Sequence, residues 1–160
     1  MRKFIIQALF LLLIAAAALF LFSSPTEVNL PFLPERTIIK QIEINDARIK
    51  AEVVNSQAKR KQGLSGRAAL ASDEGMLFVF EESGKHPFWM KGLNFALDFI
   101  WINGDKIVDI TENIQPPVQG QKDESLPIYE SKEDANKILE VSAQTAQRLN
   151  IKVGDTVKIE

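Results

Sequence analysis

A run of apolar side chains from Phe4 to Phe22, broken only by Gln7, constrains this chain before anything else does. At ~1.5 Å of rise per helical residue, roughly 19 residues reach ~28 Å, about the hydrocarbon thickness of a bilayer. The run is apolar all round, so it lacks the polar stripe of a helix packed on a soluble core. Arg2 and Lys3 stand ahead of it, and basic flanks stay on the cytoplasmic side. The rest of the chain is therefore expected outside the cytoplasm, in the periplasm or beyond the cell. Residues 1–23 read either as an uncleaved single-pass signal anchor in the cytoplasmic membrane or as a signal peptide whose removal yields a secreted domain. The bulky end, Leu19-Phe20-Leu21-Phe22, favours the anchor, because a peptidase requires small residues there.

Residues 24–36, with Pro25, Pro31 and Pro34 and no sustained hydrophobic period, read as a linker. Residues 37–160 are left as a single globular domain. Residues 1–23 hold Arg2 and Lys3 and no acid, so the basic count falls from 19 to 17 against 21 acids, a net charge of −4. Nucleic-acid phosphate demands a basic footprint, and no nucleic-acid partner is expected. The chain has no cysteine. Disulfides, thiolate metal centres and cysteine nucleophiles are thereby excluded.

Strand signals dominate the domain. Thr37–Ile44 and Arg48–Val54 flank Asn45-Asp46, as the two arms of a hairpin flank its turn. Asn55 or Ser56 is placed to cap a short helix through Gln62, with Gly63 as its stop. Met76–Phe80 is apolar on both faces and predicts a buried central strand. Phe88-Trp89-Met90 predicts a short extended piece starting at Pro87. Leu97–Ile102 and Lys106–Thr111 surround Asn103-Gly104-Asp105, a strong hairpin signal. Residues 115–131 form a polar, proline-rich loop long enough to be mobile or functional. Ile138–Val141 is a further strand, Ser142 caps a second helix through Asn150, and Thr156–Ile159 closes the chain. The expected class is strand-rich α+β: a small β-barrel-like domain with two short helices, preceded by one N-terminal transmembrane or signal helix.

Several stretches form a recognisable series. Arg60-x-x-Gly63-Leu64-x-x-Arg67 comes first, then Glu74-Gly75-Met76-Leu77-Phe78-x-Phe80 and Phe88-Trp89-Met90-Lys91. Leu97-Asp98, Leu139-Glu140 and Gly154-Asp155 complete it. Over about residues 40–160 the chain resembles the bacterial and archaeal family catalogued as domain of unknown function 192. The resemblance implies a compact, β-rich, exported or anchored domain and brings no reaction with it. The family has Asn-Thr after the lysine and a proline before Leu-Asp. This chain has Gly92, Leu93 and Ala96 there, so a site built on the polar pair is altered.

Three sets of residues carry candidate chemistry. Asp98 shares the strand face of Ile100 and Ile102, and a carboxylate there must pair, accept amide hydrogen bonds or shift its pKa. With Glu140, which sits between Leu139 and Val141, it is the candidate carboxylate pair of a hydrolase acting on envelope polysaccharide, provided the two lie ~5–9 Å apart. The structural alternative is an ion pair of Asp98 with Arg60, Arg67 or Lys91, or bonds to loop amides. Met76, His86 and Met90 offer soft ligands suited to Cu(I) in a periplasmic module, although methionines at such positions are ordinarily core. Trp89, Lys91, Arg67 and Tyr129 are candidate ligand contacts, Tyr129 being the aromatic expected to be exposed. No cofactor is expected, with Cu(I) as the alternative. The leading expectation is a non-enzymatic accessory or binding domain, attached to the membrane through residues 4–22, whose partner is an envelope protein or polysaccharide.

Overall fold

The computed structural model describes residues 37–160. The expected anchor and linker lie outside the described residues. Seven strands form one sheet: β1 (Ile38–Ile44), β2 (Ala47–Val54), β3 (Glu74–Gly84), β4 (Leu97–Asn103), β5 (Lys106–Ile114), β6 (Ala135–Ser142) and β7 (Val157–Ile159). Their order across the sheet is β5-β4-β6-β3-β2-β1-β7. Two short helices join them, α1 (Gln57–Gln62) and α2 (Thr145–Arg148), with a 3-10 turn at Asp123–Ser125. Among the described residues no helix is long and apolar enough to cross a membrane.

The local chemistry sets the connections. β1 and β2 pair antiparallel from Ile44↔Ala47 outward, around Asn45 at φ 54°. β4 and β5 meet at Asn103↔Lys106, with Gly104 supplying the positive φ of 62° that a two-residue hairpin needs. The Ser56 side chain caps α1 by accepting from the Lys59 N–H, and Gly63 at φ 51° ends it. β2 and β3, however, run parallel. A parallel pair requires a crossover, and α1 with the turns after it provides one.

The sheet curls into a half-barrel. Its edge strands approach at one end, where Lys106 bridges Thr156 and the Val157 N–H donates to the Asp105 carbonyl at 2.8 Å. Alternation then gives the sheet two buried faces. The inner face gathers Ile42, Ile49, Leu77, Ile100, Leu139 and Val157, among others, with Ala146 of α2 packed on it. The outer face carries Met76, Phe78, Leu97, Phe99, Trp101 and Ile138, covered by Leu64, Leu70, Met90 and Leu93 from the connections. This double burial is why β3 and β4 read as continuous apolar runs.

Two local expectations give way, at Ser142 and at Tyr129. Ser142 does not cap α2, because its Oγ donates to the Leu70 carbonyl at 2.7 Å. The helix is instead a single turn entered through Gln144 at φ 68°. The short extended piece expected at Phe88-Trp89-Met90 makes a single bridge, from Phe88 to Tyr129. Tyr129 is half-buried rather than exposed, its ring edge-on to Phe99 at 6.0 Å.

Candidate functional site

Strand β6 lies between β3 and β4, with Glu140 directly opposite Met76 on one side and Phe99 on the other. The pleat therefore sends the Glu140 side chain to the outer face among apolar neighbours. The residue is 3% exposed, and its Oε2 is a buried polar atom without a hydrogen-bond partner among the described residues. Burial disfavours the charged form and pushes the carboxyl from 4.5 up to about 8. An unpaired buried carboxyl costs stability, so its position demands a reason.

Above Glu140 opens a pocket of about 710 Å³, within the range of small-molecule sites. One wall is α1 and the turn after it, with Arg60, Gly63 and Leu64; another is Phe78 and Phe80 of β3; the segment Pro87–Leu93 supplies the third. Phe88 stands edge-on to Phe78 at 4.9 Å and 87°, the arrangement that ring quadrupoles favour. Trp89 is 52% exposed and forms part of the lining with Lys91. The Lys91 Nζ lies 6.0 Å from the Trp89 ring and 2.6 Å from Asp123. Arg60 donates through Nη1 to the carbonyls of Asn55 and Val79 and lies 5.2 Å from the Phe80 ring centre.

Two contacts hold the Pro87–Leu93 wall in place. Phe88 and Tyr129 exchange both backbone hydrogen bonds, at 2.9 and 2.8 Å, and the Gly92 carbonyl accepts from the Gly66 N–H at 3.0 Å. Gly92 sits at φ +70°, and a Cβ there would fall 2.1 Å from the Ser65 Oγ. Gly92→Ala is expected to cost about 1–3 kcal/mol through strain and overlap, read as a lower denaturation midpoint. Ser65→Gly added to it should recover the steric part alone.

The other sequence candidates are dispersed. Asp98 is 0% exposed. It stands opposite Val141, whereas Glu140 stands opposite Phe99, so the two carboxylates leave the sheet on opposite faces and share no cleft. Asp98 accepts from the backbone N–H groups of Asn113, Gln144 and Ala146 at 2.8, 3.2 and 2.9 Å, the loop-amide alternative rather than an ion pair. Arg67 pairs with Glu52, and neither Arg67 nor Tyr129 lines the pocket, whereas Trp89 and Lys91 do. Met76 and Met90 are buried in the outer-face core. His86 stacks on Phe80 with centroids 3.7 Å apart, its Nε2 3.3 Å from the Glu82 carbonyl. A Cu(I) ion would have to displace the methionine packing. Among the described residues no three His, Asp or Glu side chains are grouped to hold a metal.

The model of the family described as "Uncharacterized ACR", domain of unknown function 192, matches residues 39–159. The chain belongs to this family. No curated protein matches it. Among solved structures it is similar to a protein of Sinorhizobium meliloti 1021 described as a "putative transcription regulator". The TM-score is 0.70 and the identity 27%, over 79% of this chain and 98% of that one. A protein of unknown function from Novosphingobium aromaticivorans DSM 12444 shares the fold, with TM-score 0.65 and 24% identity over 76% of this chain and 84% of that one.

Part of the series that carries the family resemblance meets at the pocket, while Arg67, Met76, Met90 and Asp98 lie outside its lining. Arg60, Gly63, Phe78, Phe88, Lys91 and Glu140 all line it, although they come from distant parts of the chain. The departure from the family pattern, Gly92-Leu93, also falls here: Leu93 is a lining residue. The site was hard to read from sequence because its members share no spacing. Glu140 was the usable signal, a lone acid inside an apolar strand.

Proposed function

We propose that this domain binds a small ligand in the pocket over Glu140 and is held at the outer face of the cytoplasmic membrane by residues 4–22. The observation that carries the reading is the unpartnered Glu140 Oε2 in the base of a roomy, aromatic-walled pocket. A bound acceptor or donor there satisfies a group that the fold leaves unsatisfied. The apolar run behind Arg2 and Lys3 supports the tether and its direction. A carboxylate hydrolase fits less well, since Asp98 is on the other face and its oxygens are taken by backbone amides. A role in transcription, the one described for the Sinorhizobium protein, gains no support from charge: 17 basic against 21 acidic residues follow the apolar run.

The sequence holds two tryptophans that serve as reporter and control. Trp89 lines the pocket; Trp101 is buried and donates Nε1–H to Thr111 at 3.0 Å. In a fragment screen on the full chain in neutral detergent micelles, hits should shift the Trp89 indole resonance and leave that of Trp101 in place. A screen in which Trp89 never moves rejects the pocket as a binding site. An alkaline phosphatase fused after Glu160 should be active and membrane-bound; an inactive fusion rejects the tether's direction.

A further inference from the structure

The pocket is chemically polarised, and its polarity defines the class of ligand; this step rests on the binding reading above. Three cationic residues line it, Arg60 and Lys61 from α1 and Lys91 from the segment after β3. Glu140 is the sole acid among the described lining residues. The strands flanking Glu140 face it with Met76 and Phe99, neither of which titrates. The base is thus an apolar niche with one carboxyl, and the charges around the pocket are positive.

The positive groups differ in availability. Arg60 is fixed by two backbone carbonyls and by the Phe80 ring. Among the described residues the ion pair of Lys91 is with Asp123, both side chains being about half exposed, and such a pair is weak and exchangeable. A ligand anion can take the place of Asp123. Aromatic rings share the lining with the lysine and the carboxyl, with Trp89 beside Lys91 and Phe88 against Phe78.

We propose that the pocket takes a small amphipathic organic anion: its ring or other flat apolar body lies against Phe88 and Trp89, a hydrogen-bond acceptor sits on the Glu140 carboxyl, and its anionic group meets Lys91 and Lys61. Burial holds Glu140 protonated to about pH 8, so at neutral pH it donates rather than repels. An organic cation meets the reverse conditions, three positive groups and a base that must first ionise.

The test uses two probes with one ring system, one carbonyl acceptor for Glu140 and opposite charge, 6-acetylnaphthalene-2-sulfonate and (6-acetyl-2-naphthyl)trimethylammonium. Both are titrated into the full chain in neutral detergent, following the Trp89 indole resonance from pH 6.5 to 9. The sulfonate should bind more tightly at pH 7 and weaken about tenfold or more by pH 9, as a donor becomes a carboxylate. Glu140→Gln keeps an N–H donor and should bind the sulfonate with a flat pH profile, whereas Glu140→Leu should lose binding. Tighter binding of the ammonium, strengthening with pH, overturns the anion assignment and leaves the binding site standing. Sulfonate affinity that ignores both pH and Glu140→Gln overturns the Glu140 contact. If neither probe moves Trp89 while hits of the fragment screen do, the ligand class falls and the binding site stands; if the screen is silent as well, both fall.

Discussion

Glu140→Gln is expected to make the domain more stable than the natural protein at pH 8 and to remove most of the pH dependence of its unfolding between pH 5 and 8. In the folded chain the carboxyl is pushed from 4.5 up to about 8 by burial, while in the unfolded chain it titrates as an ordinary glutamate. Between those values the folded state holds a proton that the unfolded state has lost. Stability is therefore unaffected below about pH 4.5, falls as pH rises and levels off above about 8. The slope approaches ~1.4 kcal/mol per pH unit, so the loss by pH 8 amounts to roughly 3–5 kcal/mol. Glutamine matches the size of the acid and never ionises. Its advantage should grow with pH to a difference in Tm on the order of 10 °C at pH 8. Denaturant titrations of both chains at pH 5, 6.5 and 8 measure it. Parallel pH profiles for the two chains would mean that Glu140 is ionised or hydrated in the folded state and that the niche is not dry.

A group that destabilises its own fold at physiological pH, and whose removal is expected to stabilise, is the pattern of a residue kept for binding rather than for structure. Glu140 and Asp98 make the contrast concrete. Both are acids in buried strands, and in sequence they look alike, each flanked by apolar residues. Alternation within a strand was legible: Asp98 does share its face with Ile100 and Ile102. The relation between strands was not, because a one-residue change of register exchanges every side chain between faces. Only the pairing Asp98↔Val141 shows that the two acids point apart.

The same limit governs the rest of the fold. The hairpins at Asn45-Asp46 and Gly104-Asp105 and the cap at Ser56 are local chemistry and could be read directly. The parallel pairing of β2 with β3, the bond from Ser142 to the Leu70 carbonyl and the seat of Tyr129 against Phe99 depend on residues far away in sequence. No local preference announces them. The pocket belongs to this second kind, since α1, β3, the Pro87–Leu93 segment and β6 must all be placed before it exists.

Asp98→Ala should be the most damaging single substitution of the two acids, costing about 3–5 kcal/mol and leaving the domain at or below its folding threshold at 37 °C. The carboxylate organises a junction. Opposite it β5 carries an extra residue, since Leu97 pairs with Ile114 but Phe99 with Thr111. The bulge places Asn113 at φ 52°, with its N–H on the Asp98 Oδ1. Gln144, at φ 68°, donates to the same oxygen, and Ala146, in the first turn of α2, donates to Oδ2. One side chain thus ties the end of β5 to the turn between β6 and α2, across the mouth of the inner core. Alanine leaves three inward-facing N–H groups without an acceptor, each costing about 1–3 kcal/mol before relaxation or entry of water. Asparagine should fall between the two, because its amide oxygen serves one side of the junction while its NH₂ opposes a donor on the other. The expected order of chemical-denaturation midpoints is natural protein, Asp98→Asn, Asp98→Ala, the reverse of the direction expected at Glu140. If Asp98→Asn keeps the midpoint and instead changes 6-acetylnaphthalene-2-sulfonate binding, Asp98 acts on the ligand from the far side of the sheet and the structural role assigned to it is wrong.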